Sequence, residues 1–79
     1  MNTVYERLSD LLTSKFGVGK DEMKPDALFI DLGLDSLALV ELALTVEGMF
    51  GVDMDDAEID PEHSVADAVK LLTSKGVAA

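Results

Sequence analysis

The sequence contains no cysteine, so neither a disulfide nor a thiolate metal site can staple the chain, and its stability must come from packing. No apolar run is long enough to span a bilayer, and Met1 to Arg7 lacks a basic leader followed by an apolar block. Absent cysteines also fit a reducing interior, and the expectation is an untargeted, cytoplasmic protein. A chain of 79 residues allows one domain over 1–79 with one core. A core of that size supplies about 3–5 kcal/mol, which suits a helical bundle better than a deep catalytic cleft.

Positive charge is also scarce. Arg7, Lys15, Lys20 and Lys24 precede the middle of the chain, Lys70 and Lys75 follow it, and no basic residue lies between. With 16 acidic residues against six basic ones, the formal net charge is −10. Such a surface repels phosphate backbones and anionic lipid, so no nucleic-acid and no membrane partner is expected, whereas basic protein patches are favoured. The same self-repulsion favours a monomer.

What is present reads as helices joined by loops, without internal repeats or low-complexity tracts. Thr3-Val4-Tyr5-Glu6 has the form of a capping box, and Val4, Leu8, Leu11, Leu12 and Phe16 recur at helical spacing before Gly17. A first helix is predicted from Thr3 to Lys15. From Gly17 to Asp35 the period fails at Gly19, Pro25 and Gly33, although Val18, Met23, Leu28, Phe29, Ile30, Leu32 and Leu34 remain as apolar anchors. A long ordered loop in a small domain is more often functional than idle, which directs attention to its end at Asp35-Ser36.

A central helix is predicted from about Ser36 to a stop at Gly51, a stretch without proline. Ser64-Val65-Ala66-Asp67 resembles a second capping box, opening a last helix that Gly76 terminates. A single turn is expected over Asp55 to Ile59, ended by Pro61. The predicted core combines Leu8, Leu12, Leu42, Val46, Phe50, Val69 and Leu72.

The central helix carries more apolar surface than a core needs. At about 100° per residue, Leu39, Leu42, Ala43, Val46, Met49 and Phe50 fill an arc of roughly 120°. Leu37, Val40 and Leu44 form a second stripe, flanked by Glu41 and Glu47, with Ser36 at its N-terminal edge. A stripe edged by carboxylates has the form of a docking surface for a basic partner. The Gly17–Asp35 loop could instead fold over it, and the sequence leaves partial burial open.

Ser36 could be no more than an N-cap, but Asp35 would fill that role as well, and the third position after Ser36 is Leu39, not the glutamate or glutamine of a capping box. A hydroxyl at a helix N-terminus is also a favourable place to carry a phosphodiester, because free N–H groups and the helix dipole stabilise negative charge there. Asp35 opposes that charge, which points to modification by an external enzyme with a bridging cation or basic residue, and not to self-catalysis.

Phe29-Ile30-Asp31-Leu32-Gly33-Leu34-Asp35-Ser36-Leu37, followed by Val40-Glu41-Leu42, resembles the phosphopantetheine attachment motif of acyl carrier proteins, and the whole chain matches the size of a discrete carrier domain. The resemblance implies an all-α fold of three main helices plus a short third helix near Asp55 to Ile59. It further implies a 4′-phosphopantetheine arm, delivered from coenzyme A by a phosphopantetheinyl transferase onto Ser36, whose terminal thiol carries acyl groups as thioesters. Such a protein is a substrate of enzymes and not itself one. By position, Asp35 and Leu37 would serve transferase recognition. Val40, Glu41, Leu44, Glu47, Asp56 and Asp60 would dock on basic patches of acyltransferases, ketosynthases or acyl-ligases.

Three departures bear on the pathway. Gly48 stands where many fatty-acid carriers have a further glutamate, one residue fewer separates Phe29 from Asp31, and Leu34 before Asp35 is closer to carriers of polyketide synthesis. The expectation is a discrete carrier of polyketide or specialised fatty-acid biosynthesis. A D-alanyl carrier, or an unmodified acidic interaction module, remains open.

Other chemistry fails on spacing. A calcium loop from Asp53 would need glycine at its sixth position and glutamate at its twelfth, where Glu58 and Ser64 stand; no metal site is expected. The sole histidine, His63, lies outside any G-x-S-x-G frame, so no catalytic serine is implied. The glycines lack nucleotide-binding spacing.

Overall fold

The computed structural model describes residues 3–55 and 58–77. Its regular elements are α1 (Thr3–Lys15), a 3-10 turn (Ile30–Leu32), α2 (Ser36–Phe50) and α3 (Val65–Ser74). The all-α expectation holds, and the three main helices fall where periodicity and glycine stops place them. Thr3 is the first residue of α1 and not a cap ahead of it; Asn2 lies outside the described residues. Of the single turn expected over Asp55 to Ile59, Asp56 and Ala57 lie outside the described residues, and the Glu58 N–H donates to the Asp55 carbonyl at 3.0 Å.

Local chemistry sets the helix ends. At α3 the capping box is complete: the Asp67 N–H donates to Ser64 Oγ at 3.1 Å and the Ser64 N–H donates to Asp67 Oδ2 at 2.9 Å. Its far end closes with the Gly76 N–H on the Thr73 carbonyl and the Val77 N–H on the Leu72 carbonyl, the Schellman pattern. α2 stops at Gly51, whose φ of 69° turns the chain left-handed while its N–H donates to the Glu47 carbonyl.

Helices α1 and α3 pack against each other, and Leu8, Leu12, Leu39, Leu42, Val46 and Leu72 are fully buried between the elements. Phe50, expected inside, is only half-buried. The Arg7 guanidinium carbon sits 4.4 Å from the centre of its ring, and Arg7 Nη2 donates to the Met49 carbonyl at 3.1 Å. Arg7 thus covers the ring and also satisfies a carbonyl of the last turn of α2.

The long loop is pinned to the segment that enters α3. The N–H groups of Phe29 and Ile30 donate to the carbonyls of His63 and Pro61, at 3.0 and 2.8 Å, while those of Val65 and Ala66 donate to Ala27 and Pro25. Phe29 turns fully inward, and Val18 and Leu34 are buried with it. Ile30 does the opposite: expected as an anchor, it is 56% exposed. Phe29 has helical backbone, φ −57° and ψ −38°, at the entry to the 3-10 turn, and successive residues of such a turn are rotated by about 120°, so Phe29 faces the core while Ile30 swings out.

Candidate functional site

The site is the junction of the long loop with α2. After the 3-10 turn, Gly33 adopts φ 81° and donates its N–H to the Ile30 carbonyl. A side chain there would meet no atom within 4 Å, so glycine is required by the left-handed backbone and not by crowding. Leu34 then drops into the core, its N–H bonded to the Phe29 carbonyl at 3.1 Å. This fixes where Asp35 and Ser36 emerge.

The choice between Asp35 and Ser36 as the cap is settled by geometry. Asp35 is the N-cap: its backbone is extended and its Oδ1 accepts the Ala38 N–H at 2.9 Å. Its carbonyl takes the Leu39 N–H at 3.0 Å. Ser36 is therefore the first helical residue, exposed, with a hydroxyl that makes no hydrogen bond among the described residues. The N–H groups of Ser36 and Leu37 belong to the unpaired first turn, so two donors and the positive end of the helix dipole lie beside a free hydroxyl.

The second apolar stripe of α2 is open. Leu37 is 70% and Leu44 62% exposed, with Val40 half-buried between them; the long loop does not cover them. The core arc of the same helix buries Leu39, Leu42, Ala43 and Val46, so α2 is apolar on two faces, one buried and one open.

The carboxylates at its border are not equivalent. Glu41 is exposed. Glu47 is half-buried and Oε2 accepts the Met54 N–H at 3.3 Å, tying α2 to the chain beyond Gly51. Asp60 is exposed, but Oδ1 accepts the Glu62 N–H at 2.9 Å within a turn that His63 Nδ1 also stabilises by accepting the Asp60 N–H. His63 is thus a turn residue, in keeping with its position ahead of α3. Asp56 lies outside the described residues.

Sequence reasoning missed one feature: beside Ser36 opens a hollow of about 380 Å³, lined by Ile30, Gly33, Leu34, Asp35, Ser36 and Pro61. Pro61 is distant in sequence and is brought there by the loop pairing. Among the described residues no cluster of side chains could hold a metal ion, and no helix is long and apolar enough to cross a membrane.

The sequence matches known proteins along most of its length. A family model described as phosphopantetheine attachment site matches residues 6–72. The acyl carrier protein of Nitratidesulfovibrio vulgaris strain Miyazaki F is 38% identical over 74 residues, covering 92% of this chain and 97% of that one. The acyl carrier protein of Solidesulfovibrio magneticus is 36% identical, over 92% and 95% of the two chains. That of Chloroherpeton thalassium is 36% identical over 76 residues, or 95% of each chain.

Proposed function

The chain belongs to the acyl carrier protein family, whose members carry 4′-phosphopantetheine covalently and act as carriers and not as enzymes, and from that membership we propose that Ser36 is the attachment point of the arm. The observation that carries this reading is the displacement of capping onto Asp35, which leaves the Ser36 hydroxyl exposed and unbonded. In the transfer, the Ser36 Oγ–phosphorus bond forms as the pyrophosphate bond of coenzyme A breaks. Adenosine 3′,5′-bisphosphate leaves, and the hydroxyl proton passes to the transferase, since no side chain among the described residues accepts it here. Attached, the arm supplies the thiol that bears acyl groups as thioesters.

The residues present fit that group. The free N–H groups of Ser36 and Leu37 favour a phosphodiester, and the apolar hollow leaves room beside it. Asp35 raises the local negative potential, so the transferase must bring a cation to the junction. Leu37 is the exposed apolar contact next to it.

Enzymes that load and use the carrier dock along Leu37, Val40 and Leu44, with Glu41, Glu47, Asp56 and Asp60 orienting basic patches on phosphopantetheinyl transferase, acyltransferases, ketosynthases or acyl-ligases. The pathway is polyketide or specialised fatty-acid synthesis, in the cytoplasm. Gly48, Leu34 and the single residue between Phe29 and Asp31 support that reading. A single carrier domain over 1–79 does the work.

Intact mass tests the proposal. Coenzyme A and a broad-specificity phosphopantetheinyl transferase should add one phosphopantetheinyl unit to the chain and none to Ser36→Ala. Equal labelling of both would reject Ser36. The acyl group follows from the intact mass of the protein isolated from its native cells.

A further inference from the structure

The hollow beside Ser36 has a tether point in its own wall. The same wall contains Ile30 and Pro61, from parts of the chain 31 positions apart, joined by the Ile30 N–H donating to the Pro61 carbonyl at 2.8 Å. Ile30 is not a loose end. Its carbonyl accepts the Gly33 N–H, the preceding N–H of Phe29 is held by His63, and Phe29 itself is fully buried. The backbone therefore holds an isoleucine outward, 56% exposed. A lone exposed aliphatic residue is ordinary; one locked in position next to a proline and an exposed hydroxyl, in one hollow, is a built surface.

The arm's chemistry suits it. Moving out from the phosphate, the first group is a methylene and the second a quaternary carbon bearing two methyls. The hydroxyl and the amides follow. The only compact apolar piece of the arm is thus the one closest to Ser36, and the polar remainder is content in water. Asp35, also in the wall, repels the phosphate and leaves the Ile30–Pro61 side as the favourable direction.

The geometry points to this hollow as the resting seat of the arm's pantoyl segment, with Ile30 and Pro61 flanking its geminal methyls. The inference rests on the reading that Ser36 carries the arm. It assigns Ile30 a part separate from the docking stripe of Leu37, Val40 and Leu44. Seated, the arm leaves the protein over the loop and not along α2, so the docking stripe stays free for an enzyme while the arm is at rest.

The test uses the full chain, loaded from coenzyme A labelled with 13C in the pantoyl methyls. Nuclear Overhauser contacts are expected from those methyls to Ile30 and Pro61 in the free protein. In Ile30→Asn, an exposed position where folding is not at risk, the contacts to Pro61 should fall to the noise while intact mass still shows the arm; Ser14→Asn, at an exposed position of α1 outside the hollow, should leave them unchanged. A loaded chain whose methyls contact α2, or nothing, overturns the seat and leaves Ser36 standing. Persistence of the Pro61 contacts in Ile30→Asn overturns the part given to Ile30. A chain that takes up no arm sinks the Ser36 reading, and the seat with it. Slower loading of Ile30→Asn with no methyl contact in the wild-type protein makes Ile30 a transferase contact, which also overturns the seat.

Discussion

Two serines stand at two helix starts, and they are used in opposite ways. Ser64 is the cap of α3, its hydroxyl occupied by the Asp67 N–H and its own N–H by the Asp67 carboxylate. Ser36 sits one position further into α2, its capping duty taken by Asp35. A shift of one residue thus separates a serine whose oxygen belongs to the fold from one whose oxygen is available to an enzyme. The difference lies in the preceding residue: His63 cannot cap as Asp35 does, so the serine after it must.

Exchanging the roles gives the largest effect. Ser36→Ala should abolish loading by intact mass and change unfolding by less than about 0.5 kcal/mol. Ser64→Ala should load fully yet lose about 1 kcal/mol in urea denaturation. Loss of loading in Ser64→Ala, at a denaturant concentration of zero where it remains folded, would erase the contrast. Asp35→Ala is the intermediate case: about 1 kcal/mol of stability is expected to go with the Ala38 bond, together with slower loading because Ser36 is drawn toward the vacated cap. Unaltered loading kinetics would mean that the position of Asp35 matters only to the helix.

The carboxylate of the box sharpens the comparison by pH. The Ser64 N–H holds the Asp67 carboxyl below its ordinary 3.8, with the Ser64 hydroxyl and nearby positive charge assisting. A depressed folded value means that the unfolded chain binds the proton first. The stabilisation is therefore complete above about pH 3.8, wanes as pH falls below it, and is gone beneath the folded value. Glu58, lowered from 4.5 first by the Asp55 N–H and then by Lys75, behaves in the same sense from a slightly higher pH. In Asp67→Asn the acid limb of a stability–pH curve should be shallower; an unchanged slope would deny the carboxylate its part. Asp67 is exposed and Glu58 only part-buried, so the effect is small.

The smallest effect separates the two glutamates bordering the stripe. Glu41→Gln should weaken association with a basic partner by about 0.2–1 kcal/mol, less at high salt, without touching stability. Glu47→Ala should lower the melting temperature as well, because it also removes the acceptor of the Met54 N–H. Calorimetric titration at two ionic strengths, paired with thermal unfolding, distinguishes them.

How much of this was legible depended on the length of the pattern. The helices announced themselves because a 3.6-residue period repeated over several turns, with glycines after each, leaves little freedom. The second apolar stripe of α2 followed from the same period. The register of Asp35 and Ser36 did not, since both residue types cap well and differ by one position. Ile30 and Phe29 were indistinguishable inside a loop without a period, and only pairing with Pro61 and His63, through backbone atoms that no side chain advertises, decides which of the two faces inward. Glu47 concealed its second role for a similar reason: its partner is a main-chain N–H.

Among the described residues the ion pair of Lys75 with Glu58, at 2.9 Å, is the single one, in a chain of formal charge −10. Most of its anions therefore confront one another without an internal counterion. Dissolved cations should firm the folded chain by relieving that strain and at the same time unhook it from a basic enzyme. Thermal resistance and complex lifetime would then run in opposite directions along one axis of ionic strength, so that the least adhesive carrier is also the hardiest.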